Sequence, residues 1–144
     1  MATDTFKIFY TAVEKLNEKK IDLGGDVLKL LLTNTAPTQS TGSVKGDITE
    51  ISAGNGYTAG GNTLTVSSST QSSGTYKLVI DDLVVTASGG SIGPFRYGVI
   101  YSDTSTNDDL IGYVDYGSAL TLGDGEFVTF DFSATNGVLQ AVIS

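Results

Sequence analysis

The side chains best placed for chemistry sit in one short polar run. Asp103, Ser105, Asn107 and Asp109 take the first, third, fifth and seventh places of a calcium-loop spacing, in which alternate side chains supply oxygen ligands. That loop type also wants Gly at the sixth place and an acid at the twelfth, where this chain has Asp108 and Val114. A hairpin loop rich in turn residues accounts for the same run. The doublets Asp81–Asp82 and Asp108–Asp109 bring carboxylates together in sequence, but neighbours along a strand point to opposite faces, so neither doublet is an acid–base pair. Tyr57, Tyr101, Tyr113 and Tyr116 could stack against a sugar, and tyrosine is equally an ordinary strand and interface residue. Arg96, the only arginine, has a cross-strand partner at hand in Asp115. The chain has no His and no Cys, which excludes imidazole catalysis, His-ligated metal, thiol nucleophiles and zinc–thiolate sites. The expectation is a non-enzymatic protein with no catalytic residue, no cofactor and no resident metal.

The glycine-rich stretch 55–61 (NGYTAGG) is not a phosphate loop, because neither a Lys nor a helix follows it. Bulges and tight turns explain its glycines. The net charge of −8 lies entirely after residue 29, where three basic residues face eleven acidic ones. Such a surface repels phosphates and anionic lipid, so neither nucleic acid nor membrane is expected as a partner. No apolar run approaches the roughly 20 residues of a membrane helix, and the start lacks the apolar core of a signal peptide.

The elements that must position these groups are mostly strands. Residues 95–101 and 110–116 alternate with a period of two and flank the polar loop, which predicts an antiparallel hairpin at the sheet centre. The natural register pairs residues whose numbers sum to 211, placing Phe95 opposite Tyr116, Tyr97 opposite Val114, Arg96 opposite Asp115 and Gly98 beneath Tyr113. One face (Phe95, Tyr97, Val99, Val114, Tyr116) is then core. The other (Arg96, Ile100, Ile111, Tyr113, Asp115) is an apolar patch that needs a cover.

Further strands are predicted over 27–33, which is apolar on both faces apart from Lys29, and over 62–68, 75–81, 82–87, 126–132 and 137–143. Leu64, Val66, Tyr76, Leu78, Ile80, Val128, Phe130 and Phe132 should point inward, and Phe127, Thr129 and Asp131 outward. Ending inside a strand ties the last residues into the sheet. Residues 34–51 read as an exposed loop. Residues 4–19 carry Phe6, Phe9, Tyr10, Val13 and Leu16 at helical spacing, with Thr3 or Asp4 as cap and Lys19 and Lys20 near the end. That helix closes one side of its own sheet or docks on a neighbouring subunit. The fold class is mainly β: one domain over residues 1–144, an antiparallel β-sandwich (Ig-like or jelly-roll-like, 21–144) with one N-terminal α-helix (1–20). The candidate interface is Phe6, Phe9, Val13, Arg96, Ile100, Ile111, Tyr113 and Asp115.

From about Leu16 onward the blocks KIDLGGDVLKLLLTN, GYTAGGNTL, FRYGVIYSDT, LIGYVDYGS and GEFVTFDFSATNGVLQAVIS resemble small virion structural proteins of tailed bacteriophages, among them capsid decoration (cement) proteins. The resemblance implies a sandwich with an N-terminal helix, present in many copies on the particle. It also implies the major capsid protein as partner, a trimer or dimer spanning gaps in the shell, and a place on the virion capsid surface after assembly in the host cytoplasm. The competing expectation is a tail or head-fibre module that binds host glycans through the tyrosines.

Overall fold

The computed structural model describes residues 6–133 and 137–142. In chain order the elements are β1 (Lys7–Ile8), α1 (Tyr10–Asn17), β2 (Leu28–Thr33), β3 (Asn62–Thr63), β4 (Val66–Ser72), β5 (Thr75–Ile80), β6 (Leu83–Thr86), β7 (Ile92–Ser102), β8 (Leu110–Leu122), β9 (Phe127–Phe130) and β10 (Leu139–Val142). Their pairings are antiparallel and form a five-stranded sheet, β1-β8-β7-β2-β3, a three-stranded sheet, β10-β5-β4, and a two-stranded ribbon, β6-β9. The chain is therefore mainly β, an antiparallel sandwich with a single α-helix among the described residues.

β2 shows why the sequence folds this way. Leu28, Leu30 and Leu32 point into the core between the sheets, while Leu31 points to a second core under α1. A strand apolar on both faces is what a sheet covered on both sides requires. The inter-sheet core adds Leu78 and Ile80 of β5, Val85 of β6, and Val128 and Phe130 of β9. Each such large aliphatic side chain contributes about 1.5–3 kcal/mol on full burial.

The central hairpin forms, β7 against β8, but its register is not uniform. Tyr101 faces Leu110 as the sum of 211 requires, then the ladder slips: Ile100 faces Gly112, Val99 faces Tyr113, Gly98 faces Val114 and Tyr97 faces Asp115. Ile111 is the extra residue of this bulge. A second irregularity puts Phe95 opposite Leu120 instead of Tyr116. Bulges break the two-residue alternation, and here they re-sort both faces. Ile100, Ile111 and Phe95 enter the inter-sheet core, while Tyr97, Val99, Tyr101, Leu110 and Tyr113 form the second core with Phe9, Ala12 and Leu31. The expectation of one core face carrying Phe95 with Tyr97, and of Ile100 with Tyr113 beneath the helix, is corrected by this slip. Tyr116 is only half-buried.

The helix is shorter than its periodicity suggests. Residues 6–9 are not helical: Lys7 and Ile8 extend and pair with Tyr113 and Gly112 of β8. Gly112 permits this approach, because a Cβ there would lie 2.3 Å from the Phe6 ring. With Phe9 as N-cap, the buried face is Phe9 and Ala12 with half-buried Leu16, and Tyr10 and Val13 turn outward. Thr3 and Asp4 lie outside the described residues, as do the last two residues of the chain. The helix packs on its own sheet, where the Phe9 and Tyr113 rings meet at 5.2 Å.

The stretch predicted as one strand over 62–68 divides into β3 and β4, with Leu64 buried between them. β4 and β5 join through a tight turn at Ser73 and Gly74, both at positive φ.

Candidate functional site

The eight candidate interface residues do not form one surface. Phe9, Ile100 and Ile111 are almost fully buried and Tyr113 is nearly so, while Phe6, Arg96 and Asp115 are half-buried and Val13 alone is exposed. Ile100 and Ile111 are sealed in the inter-sheet core, so the hairpin face that needed a cover has one inside this chain. Arg96 and Asp115 do pair, by two parallel hydrogen bonds of 2.8 and 3.0 Å, although the slipped register sets Asp115 opposite Tyr97 instead. The Arg96 guanidinium also lies over the Tyr97 ring. Its hydrogen bonds hold the Asp115 carboxyl below the ordinary range of an aspartate.

The calcium-like spacing comes to a different use. The Asp109 carboxylate is buried and accepts from Lys15 Nζ at 2.5 Å, while Lys15 also donates to the Ser43 carbonyl and hydroxyl. Asp103 pairs with Lys29 at 3.2 Å. Ser105 donates to the Ser102 carbonyl and accepts from Asp109 N–H. The loop is thus clamped to α1 and β2 by cations of the chain itself. No group of three or more acidic residues suited to a metal ion occurs among the described residues.

Three of the four tyrosines, Tyr57, Tyr101 and Tyr113, likewise turn inward while Tyr116 is half-buried, so the four do not make one exposed platform. Tyr57 and Tyr101 are buried, and the Tyr57 hydroxyl completes the edge of β2. β3 pairs only with Lys29 and Leu30, and beyond it the Leu32 N–H donates to the Tyr57 hydroxyl at 3.0 Å. Tyr57 donates in turn to Glu50 Oε2 at 2.5 Å, which also accepts from Gly60 N–H at 2.7 Å. The Leu32 carbonyl accepts from Ile51 N–H. Tyr101 donates to the Gly60 carbonyl at 2.6 Å. Gly61, at φ +85°, lets the loop pass so close that a Cβ would fall 2.0 Å from the Leu30 carbonyl oxygen. The NGYTAGG block is therefore a backbone clamp. Burial first, then the hydrogen bond to Glu50, pushes the Tyr57 hydroxyl pKa far up; burial with Asp103 and Asp108 nearby pushes Tyr101 up to about 12.

What faces outward, besides a single Val27 before β2, is apolar surface in two places. Tyr10 and Val13 are exposed on α1. Beside that helix, an open groove of ≈ 1070 Å³ runs to the β4–β5–β10 sheet, lined by Ile8, Val13, Leu16, Ile21, Leu23 and Tyr76 among others. On the β6–β9 ribbon, Val84 and Phe127 are exposed. The alternation FVTFDF, which puts Phe127 on the side away from Val128 and Phe130, was the signal for this second place. Val84 had none, since residues 82–87 do not alternate cleanly. No described helix is long and apolar enough to cross a membrane. Comparison of the chain with protein-family models, with curated proteins and with solved structures finds no match.

Proposed function

We propose that this chain is a non-enzymatic structural protein of a tailed-phage virion, one that binds the assembled capsid surface and stabilises the shell. The observation that carries the reading is the division of labour among side chains. Polar groups with chemical potential (Lys15 and Asp109, Glu50 and Tyr57, Arg96 and Asp115) are engaged in holding the fold, whereas bulky apolar groups stand outside it on α1 and on the ribbon. A protein that works by contact distributes its residues in this way. Binding the shell but not its free subunits would stabilise the shell by mass action, with the major capsid protein as partner and a dimer or trimer as the bound form.

The test is titration of the purified protein onto empty heads assembled without it. Saturable binding at hundreds of copies per head, with a rise in the melting temperature of the heads, is the expected result. Absence of binding, or a stoichiometry of a handful at one vertex, would refute the shell role.

A further inference from the structure

We infer that the outer face of the β6–β9 ribbon is the surface that docks on the shell, and that its occupant is a protein surface with an apolar centre flanked by lysine or arginine. The inference rests on the shell-binding reading and adds to it the face and the chemistry of the contact.

The ribbon is a separate two-stranded piece within the described structure, with Leu83 opposite Phe130, Val84 opposite Thr129, Val85 opposite Val128 and Thr86 opposite Phe127. Val85, Val128 and Phe130 fill the inter-sheet core. Alternation then presents Val84 and Phe127, 52% and 64% exposed, as diagonal neighbours on the opposite face. An aromatic held rigidly on a paired strand loses little freedom on binding, which makes Phe127 a suitable anchor.

Charge selects the partner. Asp82 and Asp131 stand at one end of the ribbon, where the Phe132 N–H donates to Asp82 Oδ1 at 2.9 Å. Asp124 and Glu126 stand at the other, where Gly89 N–H donates to Asp124 Oδ1 at 2.9 Å and Ala87 N–H to the Glu126 carbonyl. All four side chains are exposed, and backbone donors (Gly123 N–H to Glu126 being the third) fix three of the carboxylates without cancelling their charge. From Leu78 to the end of the chain Arg96 is the one basic residue against nine acids. A four-residue strand spans about 13 Å, so acidic groups bracket the apolar centre within one small footprint. A second copy would bring carboxylates against carboxylates at the ends, which disfavours self-pairing. A basic rim would meet opposite charge at both ends.

The experiment titrates wild type and variants onto empty heads lacking this protein, at several salt concentrations, with sedimentation of the free protein alongside. The double variant Val84→Ser/Phe127→Ser should bind about 30-fold more weakly or worse, the loss of an interface anchor. Its melting temperature should stay at the wild-type value, since both side chains are exposed. Asp82→Asn/Asp124→Asn/Glu126→Gln/Asp131→Asn keeps the acceptors and should flatten the salt dependence of binding. Tyr10→Ser/Val13→Ser, altered on α1 instead, should bind as wild type does. If wild type binds and the ribbon variant binds equally, the inference fails and the shell reading stands. If wild type does not bind heads at all, the reading fails and the inference with it. Salt-independent binding, or a wild-type dimer that the ribbon substitutions disperse, would each overturn the partner assigned.

Discussion

Replacing Tyr57 by Phe removes one oxygen from the interior and tests the clamp on β2. The Leu32 N–H would lose its acceptor, and Glu50 would lose a donor at 2.5 Å. A hydrogen bond to a charged group is worth about 1.5–3 kcal/mol, and a buried donor left without a partner costs about 1–3 kcal/mol. The two overlap, so the expected loss is about 3 kcal/mol. For a chain of this length that lowers the melting temperature by about 10 °C, read by circular dichroism. Glu50→Gln keeps an acceptor and should cost less, and the double variant should show a coupling of about 1 kcal/mol or more. Alkaline pH supplies an independent check. Tyr57 holds its proton in the folded state well above the unfolded value of 10.0, so its contribution is intact below pH 10 and fades above it as the unfolded chain ionises. The gap between wild type and Tyr57→Phe should therefore narrow by about 1.4 kcal/mol per pH unit above 10. A drop of less than 2 °C, or a gap that stays constant with pH, would mean that water replaces the hydroxyl and that the buried clamp is misread.

Three further outcomes are expected. Asp109→Asn keeps an oxygen acceptor but leaves the Lys15 ammonium, 13% exposed, without its counter-charge, and should cost about 3 kcal/mol in urea unfolding; an unchanged midpoint would show that Lys15 swings into solvent. Gly61→Ala should prevent stable folding or cost more than about 3 kcal/mol, because its Cβ meets the Leu30 carbonyl, whereas Gly117→Ala, at φ +100° with open space around it, should cost only about 1 kcal/mol. Equal melting temperatures for those two would refute the close approach. Arg96→Gln should flatten the acid limb of the stability curve. The Asp115 pKa is depressed in the folded state, so its contribution is present above the unfolded value of 3.8 and is lost as pH falls through the folded one. An identical acid limb in both proteins would show that the pair contributes nothing.

The strands were legible in the sequence because burial imposes a period on it. The double-sided apolar run of β2, the inward Leu78 and Ile80, and the outward Phe127 all follow from that rule. What the period could not carry was a break in itself. Nothing in residues 110–116 announces that Ile111 is a bulge, and the Phe6 ring that packs beside it on Gly112 comes from more than 100 residues away. That single insertion moved Tyr113 to the helix side and dissolved the expected interface. The helix was overextended for a related reason. Phe6 keeps helical spacing with Phe9 and Tyr10, yet the free edge of β8 offers residues 7 and 8 a backbone ladder that an isolated helical turn cannot match. The acidic run reads in the sequence as turn residues on a calcium-like spacing, and its counter-ions, Lys15 and Lys29, were not legible there because they lie far off along the chain.

The clamp between Lys15 and Asp109 has a consequence in time. The two residues are 94 positions apart, whereas Arg96 and Asp115 are separated by 19. During synthesis at roughly 5–20 residues per second, the helix-forming segment is made about 5–20 s before its anchoring aspartate. Phe9 must spend that interval without the tyrosine it later packs on. The hairpin closes a short loop and the helix a long one, so the order of assembly is hairpin first and helix last. Pulse-labelled hydrogen exchange during refolding should accordingly protect the amides of β7 and β8 before those of α1, and the reverse order would refute it. On this account the helix, made before the hairpin, is fastened after it.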